Sequence, residues 1–207
     1  MKKKLSLLLS IFMIFFLVGT ASAQIITFDG LSYSDPLVEV ADGYAELNWA
    51  GFYEADLYQD GCVQSNFSPD ANGNYVSMIG RNSTPFNLLG TSFATLPNQM
   101  ITESITIYGF TREFQGGNSP FISWTSPSLG DLPVFYDFDF TNYNDNGRSF
   151  TNLCGLAFIS TGLNGTPGGL WLMDNLKITS VPEPATLLLL GFGLIGLAGS
   201  RKKFMKG

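Results

Sequence analysis

The chain contains no histidine. That removes Ser-His-Asp and Cys-His nucleophilic sites and histidine-ligated zinc together, because each needs an imidazole as base or ligand. Cysteine is almost as scarce: only Cys62 and Cys154 occur in 207 residues. Phosphate loops and dinucleotide fingerprints are missing. Helical periodicity is nearly missing too, with no stretch of apolar residues at three-and-four spacing between proper caps. The last scarcity is positive charge. Between residues 24 and 180 the only basic side chains are Arg81, Arg112, Arg148 and Lys177, against sixteen Asp and Glu, a net charge of −12. Such a surface repels nucleic acid and anionic lipid, so no nucleic-acid partner is expected. Sixteen carboxylates cannot all pair with four cations, so most must stay hydrated, and any buried one needs a special partner.

Strand-forming sequence is present in quantity. Short runs rich in Ile, Thr, Val, Phe and Tyr alternate with Gly, Asn, Asp, Ser and Pro. Candidate strands are Ile25–Phe28, Ala45–Trp49, Tyr53–Asp56, Tyr75–Ile79, Phe86–Phe93, Ser104–Thr111, Phe121–Thr125, Val134–Phe140, Leu153–Ser160 and Gly169–Thr179. Ser68–Asn74 and Asn144–Gly147 supply turn residues that tolerate positive φ. The expected fold is all-β, a jelly-roll-like β-sandwich in one domain over residues 24–180.

Both ends carry membrane signals. Lys2, Lys3 and Lys4 precede an apolar stretch from Leu5 to Val18, and Ala21-Ser22-Ala23 then offers small residues at a cleavage site. This is the layout of a secretory signal peptide over residues 1–23, helical in its apolar part and read by the Sec export machinery. Cleavage after Ala23 would leave Gln24 first; the alternative is an uncleaved anchor. At the other end Val181-Pro182-Glu183-Pro184 leads into an apolar run of 15 residues, Ala185 to Gly199, and then into Arg201, Lys202, Lys203 and Lys206. A stable spanning helix usually needs about 20 residues. The run also carries Gly191, Gly193, Gly196 and Gly199. The transmembrane segment 185–199 therefore reads as a transient inner-membrane tether, with its basic stop on the cytoplasmic side. Proline resists helix, so the Pro182-Glu183-Pro184 motif should stay extended and open to a processing enzyme.

Residues 181–204 resemble the PEP-CTERM sorting signal of Gram-negative bacteria. The resemblance implies recognition by an exosortase, a membrane-embedded cysteine peptidase, at or near Pro182, Glu183 and Pro184. It also implies association with exopolysaccharide or biofilm matrix, at the cell surface or beyond. The alternative is a plain single-pass anchor after a Pro-rich linker. A second, softer resemblance runs through Phe28-Asp29-Gly30-Leu31, Leu47 to Tyr53, Phe86-Asn87-Leu88, Phe93 to Leu96, Ile105 to Phe110 and Met173-Asp174-Asn175-Leu176. These pieces resemble the galactose-binding-like jelly-roll domain found in many PEP-CTERM proteins, which implies carbohydrate-binding ancestry.

Four sets of residues invite chemistry. In an exported protein Cys62 and Cys154 could form one disulfide, closing a loop of roughly 90 residues and worth about 4 kcal/mol in the chain-entropy model. Two separate buried thiols are the alternative. In Leu170 to Ile178, strict alternation puts Leu170, Leu172, Asp174, Leu176 and Ile178 on one face. An aspartate in a leucine row needs a hydrogen-bond network, a bulge that turns it out, or a cation. Asp29 ends the first strand, and first and last strands of jelly rolls tend to meet, so Asp29 and Asp174 are candidates for one structural Ca²⁺. The alternative is that Asp174 caps backbone N–H groups. Tyr136 to Phe140, followed by Asn142, Asn144, Asp145 and Asn146, resembles part of a calcium loop without its closing Glu, and a strand with one wet face explains it as well. Among the abundant aromatics, Trp49, Tyr53, Trp124, Tyr136 and Trp171 could stack on sugar rings, although a sandwich also uses aromatics in its core. A carboxylate pair for glycoside hydrolysis is not singled out. The sequence thus reads as a non-enzymatic exported protein that binds or organises polysaccharide. A purely structural surface protein is the competing class, and a glycan-active enzyme the third.

Overall fold

The computed structural model describes residues 22–31, 38–54, 62–65, 76–80, 84–96, 102–112, 119–130, 132–166 and 168–181. Ala21, the Pro182-Glu183-Pro184 motif, Arg201, Lys202, Lys203, the two expected terminal helices and the turn at 68–74 lie outside these residues. Among the described residues no helix is long and apolar enough to cross a membrane.

Residues Ala23–Ser180 form one compact unit of eleven described strands: β1 Ala23–Ile26, β2 Asn48–Ala50, β3 Phe52–Glu54, β4 Val63–Ser65, β5 Val76–Gly80, β6 Phe86–Thr95, β7 Thr102–Phe110, β8 Ile122–Thr125, β9 Tyr136–Asp139, β10 Gly155–Gly162 and β11 Trp171–Ser180. They build two antiparallel sheets. One runs β3-β4-β11-β6-β9 with β1 also paired to β11; the other runs β2-β5-β10-β7-β8. The chain passes repeatedly between them, as a jelly-roll-like sandwich requires. First and last strands do meet, with Ala23 opposite Thr179 and Ile26 opposite Leu176.

The sandwich closes because alternate residues of both sheets are large and apolar. Ile105 and Ile107 on β7 and Leu156 and Phe158 on β10 face Phe93, Trp171 and Met173 from the opposite sheet in one buried cluster. Full burial of such a side chain contributes about 1.5–3 kcal/mol. Aromatic rings set the geometry of the centre: Trp171 meets Phe93 edge-on at 5.3 Å and Phe52 at 5.8 Å, and Phe158 meets Phe52 at 5.7 Å.

The face expected for β11 is corrected by a bulge. The β11–β6 register shifts after Asp174, and Asn175 there adopts a φ of 49°, which asparagine tolerates better than most side chains. Trp171 and Met173 face the core before the bulge, and Leu176 and Ile178 face it afterwards. Leu170 and Leu172 belong instead to a second cluster with Cys62, Ala94 and Leu96, on the other face of the same sheet by alternation. Asp174 shares that second face and is not in a leucine row with Leu176 and Ile178.

Candidate functional site

Two of the domain's four cationic side chains converge on one cleft. The cleft has a volume of about 410 Å³ and lies where β7 ends and β8 begins. Phe110, Thr111 and Arg112 form one wall, Ser119, Pro120 and Phe121 a second, and Arg148 a third. Sites for small ligands typically hold about 300–1,000 Å³.

Arg148 is placed by a tight turn legible in the sequence. Asn146 and Gly147 have φ of 53° and 81°, the pair of left-handed residues that a two-residue type I′ turn requires. The flanking residues exchange both backbone bonds, Asp145 N–H to Arg148 O at 2.8 Å and Arg148 N–H to Asp145 O at 2.9 Å. Gly147 N–H donates to Asn144 Oδ1 at 2.8 Å. Before the turn, Tyr143 packs on Phe140 and Phe150 and donates its hydroxyl to Ser123 O at 3.1 Å. Burial, aided by the nearby Asp145 charge, pushes the Tyr143 hydroxyl above its ordinary pKa.

The guanidinium of Arg148 is itself fixed. It lies 5.4 Å from the centroid of the Phe121 ring and donates Nη1–H to Phe121 O at 3.0 Å. One donor of its five-donor fork is thereby used to orient the rest. Phe121 is held in turn by its N–H to Gly109 O at 2.8 Å. Arg112 is exposed at the end of β7. Among the described lining residues there is no carboxylate. The arrangement is two guanidiniums, two small hydroxyl residues and apolar ring surface around a cavity, which suits a polar ligand carrying negative charge.

The residues expected to carry chemistry are placed elsewhere. Trp171 is fully buried and Trp49 nearly so; Trp49 donates Nε1–H to Tyr44 O at 2.9 Å. Trp124 is half-buried, edge-on to Phe138 and Phe140 at 4.9 Å each. Trp49 and Trp171 thus sit inside the core, and Trp124 packs against its rim on the edge strand β8. Tyr53 is half-buried on the edge strand β3, and Tyr136 is exposed on the edge strand β9. The two thiols are not joined: Cys62 is buried beside β4 of one sheet, with Leu172, whereas Cys154 precedes β10 of the other and lies 3.4 Å from Thr111 O. Of the two alternatives read from the sequence, one disulfide or two separate thiols, the structure holds separate thiols on different sheets.

Asp174 is half-buried. Its carboxylate accepts Asn175 N–H at 2.6 Å and Asn175 Nδ2 at 2.8 Å. Burial pushes its carboxyl above the usual range, the Asn175 N–H opposes this, and the charges of Asp29 and Asp137 push it further up. Asp29 and Asp174 are thus electrostatic neighbours. Ser92, opposite both Asp174 and Asp137 in the ladders, donates its hydroxyl to Asp137. On the same strand as Asp137, Asp139 is held below the usual range by the Thr141 hydroxyl and N–H. Among the described residues no group of three or more Cys, Asp or Glu is arranged to hold a metal ion.

Sequence reasoning missed the cleft. Its one signal was the scarcity of cations, which made every arginine worth placing.

Residues 180–202 match the PEP-CTERM protein-sorting motif. No curated protein matches the chain. Solved structures similar to it include family 29 carbohydrate binding modules. One such module is 16% identical at a TM-score of 0.40, covering 82% of this chain and 99% of that one. Another, CBM29_1 from Piromyces equi, is 9% identical at a TM-score of 0.40, covering 78% and 91%. A CBM29-2 variant complexed with mannohexaose is 14% identical at a TM-score of 0.40, covering 78% and 93%. The sequence and fold together define an exported antiparallel β-sandwich protein. Its sorting signal begins on Ser180, the last residue of β11.

Proposed function

We propose that the chain is processed at both ends and that its domain binds polysaccharide outside the cell without turning it over. In this reading residues 1–23 are a signal peptide for Sec export. Residues 181–204 insert transiently in the inner membrane until an exosortase acts near Pro182-Glu183-Pro184. Residues 24–180 remain at the cell surface or in an exopolysaccharide matrix. The observation that carries the reading is the sorting motif directly after the last strand of the sandwich. The cleft supports the ligand part, because guanidinium, hydroxyl and ring surface are the groups that meet sugar hydroxyls and ring faces.

Mass spectrometry of the chain produced with and without an exosortase tests the sorting. A product beginning at Gln24 and shortened near residues 182–184 only when the exosortase is present is expected; an unchanged C-terminus in both strains would defeat it. A glycan array probed with the full chain in mild detergent tests the binding. Probing it with and without Ca²⁺ tests whether Asp29 and Asp174 hold a cation. The placing of Trp49 and Trp171 in the core favours the second reading, a purely structural surface protein, and uniformly blank arrays would select it. Turnover of a polysaccharide would overturn both.

A further inference from the structure

We infer that the cleft lined by Arg112 and Arg148 binds a carboxylate-bearing sugar, a uronic acid residue of an acidic polysaccharide. This rests on the polysaccharide-binding reading and names the ligand class and the site. Half of the domain's cationic side chains line this one cavity, within a segment that carries sixteen carboxylates. Arg148 is fixed before any ligand arrives, by the type I′ turn, the Phe121 carbonyl and the Phe121 ring. A pre-oriented guanidinium matches the two oxygens of a carboxylate and loses little freedom on binding. Thr111 and Ser119 offer hydroxyls for the sugar's own hydroxyls, and Pro120 offers apolar surface.

The domain's net charge of −12 opposes a polyanion at long range. At physiological salt, however, charge effects fade over about 8 Å, whereas the guanidinium–carboxylate contact acts at about 3 Å. The short-range contact therefore decides, and the acidic surroundings confine binding to the cleft. A polyuronate should bind there as separate contacts along the chain rather than by coating the protein.

The test uses the full chain in mild detergent on immobilised polygalacturonate, on the same polymer with its carboxyl groups reduced to alcohols, and on a sulfated neutral glucan. Retention on polygalacturonate, with at least tenfold weaker retention for Arg148→Met and for Arg112→Ala, is expected, since a charge-assisted hydrogen bond is lost in each. Arg148→Lys should fall between Arg148→Met and the parent, because the charge stays and the fork goes. Arg112→Ala changes an exposed residue and tests the site where Arg148→Met disturbs its turn. Equal retention on the reduced polymer would overturn the inference and leave the polysaccharide reading standing. Polygalacturonate binding indifferent to both arginines would overturn the site. Stronger retention on the sulfated glucan would overturn the choice of carboxylate. No retention on any polymer, together with blank arrays, would overturn both readings.

Discussion

Trp171 and Trp49 make a controlled pair for testing whether the tryptophans serve the core. Each is buried, and among the described residues each touches three other aromatic rings: Phe52, Phe93 and Phe158 for Trp171, and Phe28, Tyr44 and Phe52 for Trp49. They differ in one atom's fate. Trp49 Nε1 donates to Tyr44 O at 2.9 Å, whereas Trp171 Nε1 is buried without a hydrogen-bond partner among the described residues. Replacing either by Phe empties roughly 40 Å³, about 1 kcal/mol at ~24 cal/mol per Å³. Trp49→Phe also loses a hydrogen bond worth about 1 kcal/mol, a total cost of about 2 kcal/mol. Trp171→Phe instead removes a buried unsatisfied donor, which costs the parent about 1–3 kcal/mol. The rings of Phe52 and Phe93, at 90° and 89° to the indole, give its edge weak aromatic contacts, so the lower end of that range applies. Trp171→Phe should therefore fall within about 0.5 kcal/mol of the parent, some 2 kcal/mol above Trp49→Phe. Urea unfolding midpoints at unchanged slope measure the gap. A Trp171→Phe variant as destabilised as Trp49→Phe would refute the reasoning, and loss of glycan retention in Trp171→Phe at parental stability would return that residue to the ligand.

Three further outcomes follow from local geometry. Asp174 has a raised folded pKa, so the folded state binds its proton more tightly than the unfolded state, and stability falls as pH rises through the window just above the ordinary aspartate value. Asp174→Asn should remove that penalty, raising stability at pH 7 by up to about 1 kcal/mol after allowance for solvent screening. The gain should vanish at pH 3, and a variant weaker than the parent at pH 7 would contradict the sign. Gly90→Ala would put a Cβ 2.7 Å from the Phe138 carbonyl oxygen, a backbone atom of the neighbouring strand. It should cost about 1–3 kcal/mol by thermal or urea unfolding, and a neutral result would show that β6 and β9 can part. Gly147→Ala meets nothing within 4 Å but must keep a φ of 81°, so it should cost about 1 kcal/mol through backbone strain alone. By loosening Arg148 it should also weaken polyuronate retention; strain without loss of retention would detach the turn from the site.

Much of the sandwich was legible because strand sequence carries its own period. Ile105 and Ile107, or Leu156 and Phe158, announce both the strand and its buried side. The strand β4 was missed because Val63-Gln64-Ser65 has no pattern of its own; it exists through its pairing with β3 and β11. The expected strand Ala45–Trp49 is instead a 3₁₀ turn at Tyr44–Glu46, with Ala45 and Glu46 at φ of 51° and 63°, followed by the short β2. That turn brings Tyr44 O to the Trp49 indole. The face of β11 was misread because the paired irregularity between Asp174 and Ile178 reverses every later side chain, and strict alternation is blind to it. The cleft is a different case. Asn146-Gly147 declares a turn in the sequence, but only the fold shows that it delivers Arg148 beside Phe121 and the end of β7.

The fold is compatible with the trimming of both ends proposed above. Strand β11 is flanked by β6 on one side and by β4 and β1 on the other, and its last ladder pair is Ser180 with Phe86. A cut near Pro182-Glu183-Pro184 comes after that pair and removes no strand residue. At the other end, a cut after Ala23 removes one of the four β1–β11 pairs and leaves Gln24 opposite Ile178, Ile25 opposite Lys177 and Ile26 opposite Leu176. The pairs that remain include Ile26, Leu176 and Ile178, which are the buried ones. Because the two strands are antiparallel, Ala23 lies opposite Thr179, and both trimmed ends leave the sandwich from one point. The proposed cuts would thus fall where the core contributes nothing, so the burial that holds the domain together would stay intact.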